Sequence, residues 1–265
     1  MTIIDRQDRQ HRAEIPAVFA RWFAGRGWQM RPHQREMLAH AAAGRSALLI
    51  APTGAGKTLA GFLPALIDLA GTPDRPPGIH TLYVSPLKAL AVDIARNLEQ
   101  PIAEMHLDVT CEVRSGDTPA NRRRRQLVSP PDILLTTPEQ IALLIANSAA
   151  ARTFESLRYI VLDELHALAA SKRGDLLSLG LARLQNLAPQ SVRIGLSATV
   201  AEPAELAEYL ISGRPGDGDP ARIIIGGAGA RPEITILASR QRIPCAGHFA
   251  LYAMADIYAA LKAHA

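Results

Sequence analysis

The segment Ser46-Ala-Leu-Leu-Ile-Ala-Pro-Thr-Gly-Ala-Gly-Lys-Thr58 constrains this chain more than any other. It passes from a short apolar strand, through a glycine-rich turn, into an amphipathic helix. In that context the turn reads as a phosphate-binding loop. Small residues at Thr53, Gly54, Ala55 and Gly56 let backbone N–H groups close around phosphate oxygens, and the helix that follows presents its positive end to them. Lys57 would meet the β- and γ-phosphates, and Thr58 would place its hydroxyl on Mg²⁺. The general pattern opens on glycine, whereas Ala51 stands there in this chain. The bland alternative, a tight turn with incidental Gly and Lys, is disfavoured by the complete Gly-Ala-Gly-Lys-Thr core.

A strand that feeds such a loop belongs to a parallel sheet, and the rest of the chain is patterned for one. Short apolar runs recur at Ser46–Ile50, His80–Val84, Asp132–Thr136, Tyr159–Leu162, Val192–Leu196 and Arg222–Ile225. Amphipathic stretches such as Lys57–Leu69, Leu87–Glu99 and Asp175–Leu187 separate them. Runs apolar throughout, interleaved with helices, predict an α/β fold whose sheet is covered on both faces. Ligands then gather at the carboxyl ends of the strands. Two helices, Ile15–Phe23 and Pro32–Ala43, are predicted ahead of the first strand. Gly71–Gly78 and Gly213–Pro220 read as exposed connectors. In the tail, Pro232–Ala238 fits a strand or an extended linker, and Phe249–Ala263 a helix.

With 48% hydrophobic residues in 265, the chain can bury a large core. No apolar run is long enough to span a bilayer, and the polar stretch Thr2–Glu14 has no signal-peptide core. Cys111 and Cys245 stand far apart without His or Cys at ligand spacing, which argues against a zinc site or a disulfide framework and fits a reducing cytoplasm. A net charge of +4 is compatible with a polyanionic partner and does not demand one.

Tyr159-Ile-Val-Leu-Asp163-Glu164-Leu-His166 sets two acids at the end of an apolar strand. An unpaired carboxylate in such a place is costly, and Mg²⁺ would relieve that cost. Asp163 is the candidate to hold the metal through its hydration shell. Glu164 is the candidate to orient and deprotonate an attacking water. His166 alone is ambiguous. Ser197 and Thr199, in Gly195-Leu-Ser-Ala-Thr199, carry little signal by type but sit at the next strand end.

Other residues weigh less. Four arginines in a row, Arg122 to Arg125, point in different directions on a helix, so at most one or two could face a strand. Lys88, after Ser85-Pro86, is as consistent with an exposed helical lysine as with a phosphate contact. Thr137, Pro138 and Glu139 also make an ordinary helix start. Trp22, Phe23 and Trp28 fit core packing better than base stacking.

Taken together, these residues resemble the motif series of superfamily 2 helicases of the DExH kind. Gln34, in Arg31-Pro-His-Gln34, resembles the adenine-reading glutamine upstream of the loop. Ala51–Thr58 is similar to motif I in its helicase form, where alanine commonly replaces the first glycine. Ser85-Pro86-Leu-Lys88-Ala-Leu90 resembles motif Ia and Thr136-Thr137-Pro138-Glu139 motif Ib, both strand-contacting. Asp163–His166 resembles motif II and Ser197–Thr199 motif III, which couples the two activities. Arg114-Ser-Gly116-Asp-Thr118 with the arginine-rich helix, and the tail from Ala230 to His248, are similar to the large helicase-related (Lhr-type) branch, and within it to the ligase-associated DNA helicases; the resemblance implies that Arg114 and Gly116 also contact the nucleic acid. The resemblance implies a RecA-like doubly wound sheet, ATP and Mg²⁺ as cofactors, and a 3′-to-5′ DNA translocase acting on a single strand or 3′-tailed duplex. It also implies a bacterial, nucleoid-associated cytoplasmic protein with a functional link to a DNA ligase.

On this reading residues 1–45 are N-terminal helices with the Gln34 segment. Residues 46–230 are the first RecA-like domain, and 231–265 a connector and the opening of a second. Motifs IV to VI, with their arginine finger, do not occur in this sequence, so the chain is expected to be the ATP- and Mg²⁺-binding half of a motor whose second RecA-like domain is missing. Two alternatives remain: a binding module without autonomous turnover, and an unrelated P-loop enzyme such as a small-molecule kinase.

Overall fold

A computed structural model of the chain describes residues 15–211, 220–227 and 253–263. Most of the Gly213–Pro220 loop, the Pro232–Ala238 segment, Cys245 and Phe249–Tyr252 lie outside them. The chain divides into two compact units, Met1–Gly229 and Ala230–Ala265. In the second, the described helix is Met254–Ala263.

Among the described residues, the first unit begins with helices α1 (Ala17–Gly25) and α2 (Pro32–Ala42) and strand β1 (Ala47–Ile50). Then follow α3 (Lys57–Gly71), β2 (Thr81–Val84), α4 (Lys88–Glu104), β3 (Cys111–Val113), α5 (Ala120–Val128) and β4 (Ile133–Thr136). The unit continues with α6 (Pro138–Ile145), α7 (Ala150–Phe154), β5 (Tyr159–Leu162), α8 (Leu165–Ala169) and α9 (Lys172–Leu187). Strand β6 (Val192–Ser197), α10 (Pro203–Ile211) and β7 (Arg222–Ile225) complete it. The strands pair in parallel in the order β3-β4-β2-β5-β6-β1-β7.

Strand residues alternate between two cores. Leu49, Tyr83, Val161 and Leu196 pack with α1 to α4, where Phe19, Phe62, Leu66 and Leu98 are buried. Leu48, Ile50, Leu82, Val84 and Ile160 pack with α6 to α10, against Ile141, Phe154, Leu177, Leu181 and Leu210. A sheet with an apolar layer on each face must have strands that are apolar throughout, which is the pattern that betrayed it. Burying each large side chain contributes about 1.5–3 kcal/mol. Gly61 lets α3 lie close on the sheet: a Cβ there would fall 2.9 Å from a Leu196 methyl and 3.1 Å from one of Val161.

Three elements depart from the sequence expectation. Strand β3 was not foreseen, because a three-residue, half-buried edge strand shows no apolar run. Helix α4 continues through Pro101 to Glu104, since a proline in the last turn removes one hydrogen bond without ending the apolar face. Helix α9 begins three residues earlier than expected, at Lys172, where the Ser171 hydroxyl accepts from the Gly174 amide. Arg193, fully buried on β6, donates to the carbonyls of Leu181 and Leu210 at 3.1 and 3.0 Å, and to Gln185 Oε1 at 3.1 Å. It thereby satisfies a carbonyl in the last turn of α10, an end that favours a cation, and ties that turn to the middle of α9.

No helix among the described residues is long and apolar enough to cross a membrane. The strand register is what positions the site: Ile50 pairs Ser197, Leu162 pairs Val84, and Val84 pairs Thr136. The carboxyl ends of β1, β6, β5, β2 and β4 therefore line one rim.

Candidate functional site

The loop between β1 and α3 owes its shape to two glycines in the left-handed region, Gly54 at φ 78° and Gly56 at φ 75°. Gly56 is doubly constrained, because a Cβ there would also fall 2.9 Å from Gln34 Nε2. Lys57 is buried, with Nζ donating to the Ala51 carbonyl at 2.8 Å, so the ammonium lies within the turn. Thr53 and Gly54 are exposed, Ala55 is buried, and Thr58 is half-buried in the first turn of α3.

Two α2 side chains brace the loop. His33 Nε2 lies 2.9 Å from the Ala55 carbonyl, and Gln34 Nε2 donates to the Gly56 carbonyl at 3.3 Å. Gln34 Oε1 accepts from the Arg31 amide at 2.9 Å, closing a box over the start of α2. Gln34 is thus tied to the phosphate loop itself. Burial lowers the His33 pKa, and a neutral ring suits a loop built for anions through its amides. His33 was missed in the sequence; its position beside Gln34 was the available signal.

Across the rim, at the end of β5, Asp163 is buried and accepts a hydrogen bond from the Tyr83 hydroxyl. Burial raises the Asp163 pKa; the phenol works against that rise and Glu164 adds to it. Glu164 stands in the left-handed region at φ 45°, which turns the chain sharply from strand into α8. Such backbone persists where surroundings hold it, commonly at functional sites. His166 Nδ1 lies 3.0 Å from Ser197 Oγ and 3.5 Å from Glu164 Oε2, linking the ends of β5 and β6. Ser197 is fully buried, whereas Thr199 is exposed.

No group of three or more His, Cys, Asp or Glu side chains that could cage a metal occurs among the described residues. The donors present are one buried carboxylate and one threonine hydroxyl beside a phosphate loop. Mg²⁺ fits that set, because it keeps several waters and is held by one or two protein oxygens plus substrate phosphates. The raised pKa of Asp163 points the same way: a buried carboxylate at a strand end gains from a nearby cation.

Residues 31–207 match the family model described as DEAD/DEAH box helicase. The chain belongs to that family. It is 47% identical over 212 residues to the Lhr helicase/probable uracil glycosylase of Mycolicibacterium smegmatis, covering 75% of this chain and 14% of the relative. It is 40% identical to the ATP-dependent helicase Lhr-Core protein 2 of Thermococcus barophilus, covering 75% of this chain and 24% of that one. The solved structure of the Mycobacterium smegmatis helicase Lhr bound to ssDNA and AMP-PNP superposes with a TM-score of 0.74 and 41% identity over 83% of this chain and 28% of that one. The chain therefore spans about a seventh to a quarter of the length of these curated relatives. The seven-stranded sheet is RecA-like, and the homology is to Lhr-type helicases.

The remaining motif positions of this helicase domain occupy the rim beyond β5. Lys88 is exposed at the start of α4 and pairs with Asp117 at 2.5 Å. Pro86 is half-buried and Gly116 exposed. Thr137 and Pro138 are buried under the start of α6, while Glu139 is exposed and paired with Arg173. Arg173, on α9, was also missed: it bonds both Glu139 and the Pro86 carbonyl. The signal available was a cation one residue before Gly174 in a helix's first turn.

Arg114, which the resemblance sets among the strand-contacting residues, is buried, with Nη1 donating to the Arg123 carbonyl at 2.9 Å and to Gln126 Oε1 at 3.4 Å. Edge strand β3 turns it under α5, so its guanidinium anchors that helix rather than facing the rim. The arginine run is similarly engaged: Arg122 and Arg125 both pair with Glu112 of β3, at 3.2 and 2.6 Å.

Proposed function

We propose that this chain is the ATP- and Mg²⁺-binding half of an ATP-dependent DNA helicase or translocase. The observation that carries the reading is the shared rim. The Lys57 loop leaves β1, Asp163 and Glu164 leave β5, and His166 reaches to Ser197 at the end of β6, the strand between them. Nucleotide chemistry and a mobile partner element can be coupled across so short a link. A Lhr relative solved with ssDNA and AMP-PNP supports both the nucleotide and the strand.

On this reading the loop amides and Lys57 hold the β- and γ-phosphates, and Thr58 and Asp163 hold the cation. Mg²⁺, when bound, supplies positive charge at the phosphates. A water oxygen attacks the γ-phosphorus, the bond to the ADP oxygen breaks, and Glu164 accepts the water's proton. Gln34 serves the nucleotide through the loop it braces. Pro86, Lys88, Gly116 and the Thr137–Glu139 turn form the strand track, in which the Lys88 ammonium and the backbone N–H groups of the turns are the groups suited to backbone phosphates. Residues 46–230 form the first RecA-like domain; 1–45 precede it, and 231–265 lead towards a second. A single-stranded or 3′-tailed DNA, that second domain, and a functional link to a DNA ligase in the nucleoid complete the proposal.

Phosphoryl transfer gains about 10³–10⁵ in rate from an arginine presented opposite the lysine and cation. Residues 1–265 alone are expected to hydrolyse ATP near the background rate, without stimulation by single-stranded DNA. A longer version reaching through a second RecA-like domain is expected to be stimulated. Steady-state ATPase assays on both, with and without DNA, test this. Strong stimulation of the short chain overturns the half-motor reading; none in the longer one overturns the helicase reading.

A further inference from the structure

Strand β2 is aliphatic at Leu82 and Val84, yet a tyrosine stands between them. Tyr83 is fully buried in the core beneath α3. Its ring lies flat on Phe62, with centroids 4.8 Å apart and planes at 14°. Phe62 sits in α3, one turn beyond Thr58. At its other end the phenol donates to Asp163 Oδ2. One rigid ring therefore joins the helix that carries Lys57 and Thr58 to the strand end that carries Asp163.

The arrangement has a chemical consequence. A carboxylate turns freely about its last bond unless a donor fixes its plane, since that torsion is broad. Here one oxygen is committed to a donor held in place, because its ring is fully buried and stacked on Phe62. We propose that Tyr83 is a positioning residue for the nucleotide-bound Mg²⁺, fixing the Asp163 carboxylate relative to the first turn of α3. Partners of this kind orient a ligand without touching the metal, and their removal typically costs about 10–100-fold in metal affinity. The inference rests on the reading that Lys57, Thr58 and Asp163 hold MgATP.

The test uses residues 1–265 and a fluorescent, non-hydrolysable ATP analogue, titrated with Mg²⁺ and, separately, with EDTA present. Tyr83→Phe keeps the ring and removes the hydroxyl. It is expected to raise the Mg²⁺ concentration for half-maximal tight binding by about 10–100-fold, while metal-free nucleotide affinity stays unchanged. In an Asp163→Asn background, the same substitution is expected to add nothing, because the group it positions is gone. Equal loss with and without Mg²⁺ overturns the proposal, as does a full additional loss in the Asp163→Asn background. Those results would mark a general loosening of the core. If Tyr83→Phe does not fold, wild-type chain labelled at its tyrosines carries the test: a buried tyrosine resonance must shift when Mg²⁺ joins the nucleotide complex, and an unmoved spectrum overturns the proposal. Wild-type binding indifferent to Mg²⁺ would overturn the underlying site reading instead, which a normal Mg²⁺ response in wild type separates from failure of the Tyr83 inference alone.

Discussion

Arg173 forks onto Glu139, with Nε 2.5 Å from Oε1 and Nη2 3.0 Å from Oε2, and its third nitrogen donates to the Pro86 carbonyl. One guanidinium from α9 thus ties together the turns that follow β2 and β4. Those are the two turns proposed to grip a strand. Bidentate geometry of this kind fixes orientation as well as distance.

Removing that fork is expected to loosen both turns together. Arg173→Ala should weaken binding of single-stranded DNA by about tenfold, close to one charge-assisted hydrogen bond, and leave nucleotide affinity alone. Hydrogen bonding to Arg173 also holds Glu139 at about 2. A depressed carboxylate contributes stability above its unfolded pKa, near 4.5, and loses it as the pH falls towards 2. Following Glu139 by NMR titration should show a midpoint near 2 in the wild type and a clearly higher one in Arg173→Ala, where the largest cause of the depression is gone. Identical midpoints would dissolve the link.

Lys57→Ala should abolish tight ATP binding while sparing the fold, because the ammonium bonds a loop carbonyl rather than the hydrophobic core. Calorimetry on folded mutant is the check, and unchanged affinity would remove the phosphate-loop assignment.

The two acids should separate. In a longer version of the chain, Glu164→Gln should bind ATP and lose turnover, since an amide cannot accept the water's proton. Asp163→Asn should instead weaken the Mg²⁺-dependent part of binding. Normal turnover in both would show that these acids are not the catalytic pair.

Gly56→Ala should lower stability by about 1–2 kcal/mol, the cost of a side chain in left-handed backbone, with further disturbance of Gln34, 2.9 Å from the new Cβ. Gly71→Ala, with nothing within 4 Å of its Cβ and ordinary helical backbone, is the control and should melt no lower than wild type. Equal melting temperatures for both variants would contradict the loop geometry.

Much of this protein was written locally. A strand apolar throughout has to be covered on both faces, so Leu48–Ile50, Leu82–Val84 and Ile160–Leu162 announced a parallel sheet before any contact was known. Gly54 and Gly56 were equally legible, because only glycine occupies left-handed backbone without strain. Sequence spacing likewise put Asp163 at a strand end and Lys57 at the helix start that follows one. Strand order, by contrast, depends on pairing between distant segments, and it decided that β6 lies between β1 and β5, bringing His166 to Ser197. Arg114 and Lys88 are both cations near strand ends, yet one is turned under α5 and the other stays exposed. Residue type cannot distinguish them, since the direction of a side chain is set by the packing of elements far away in the chain. Tyr83 on Asp163 and Arg173 on Glu139 belong to the same class, joining residues 80 and 34 positions apart. Backbone stereochemistry and the two-faced burial of strands fixed the elements from sequence alone, whereas the partners of each polar side chain were decided by tertiary packing, because they lie on different elements.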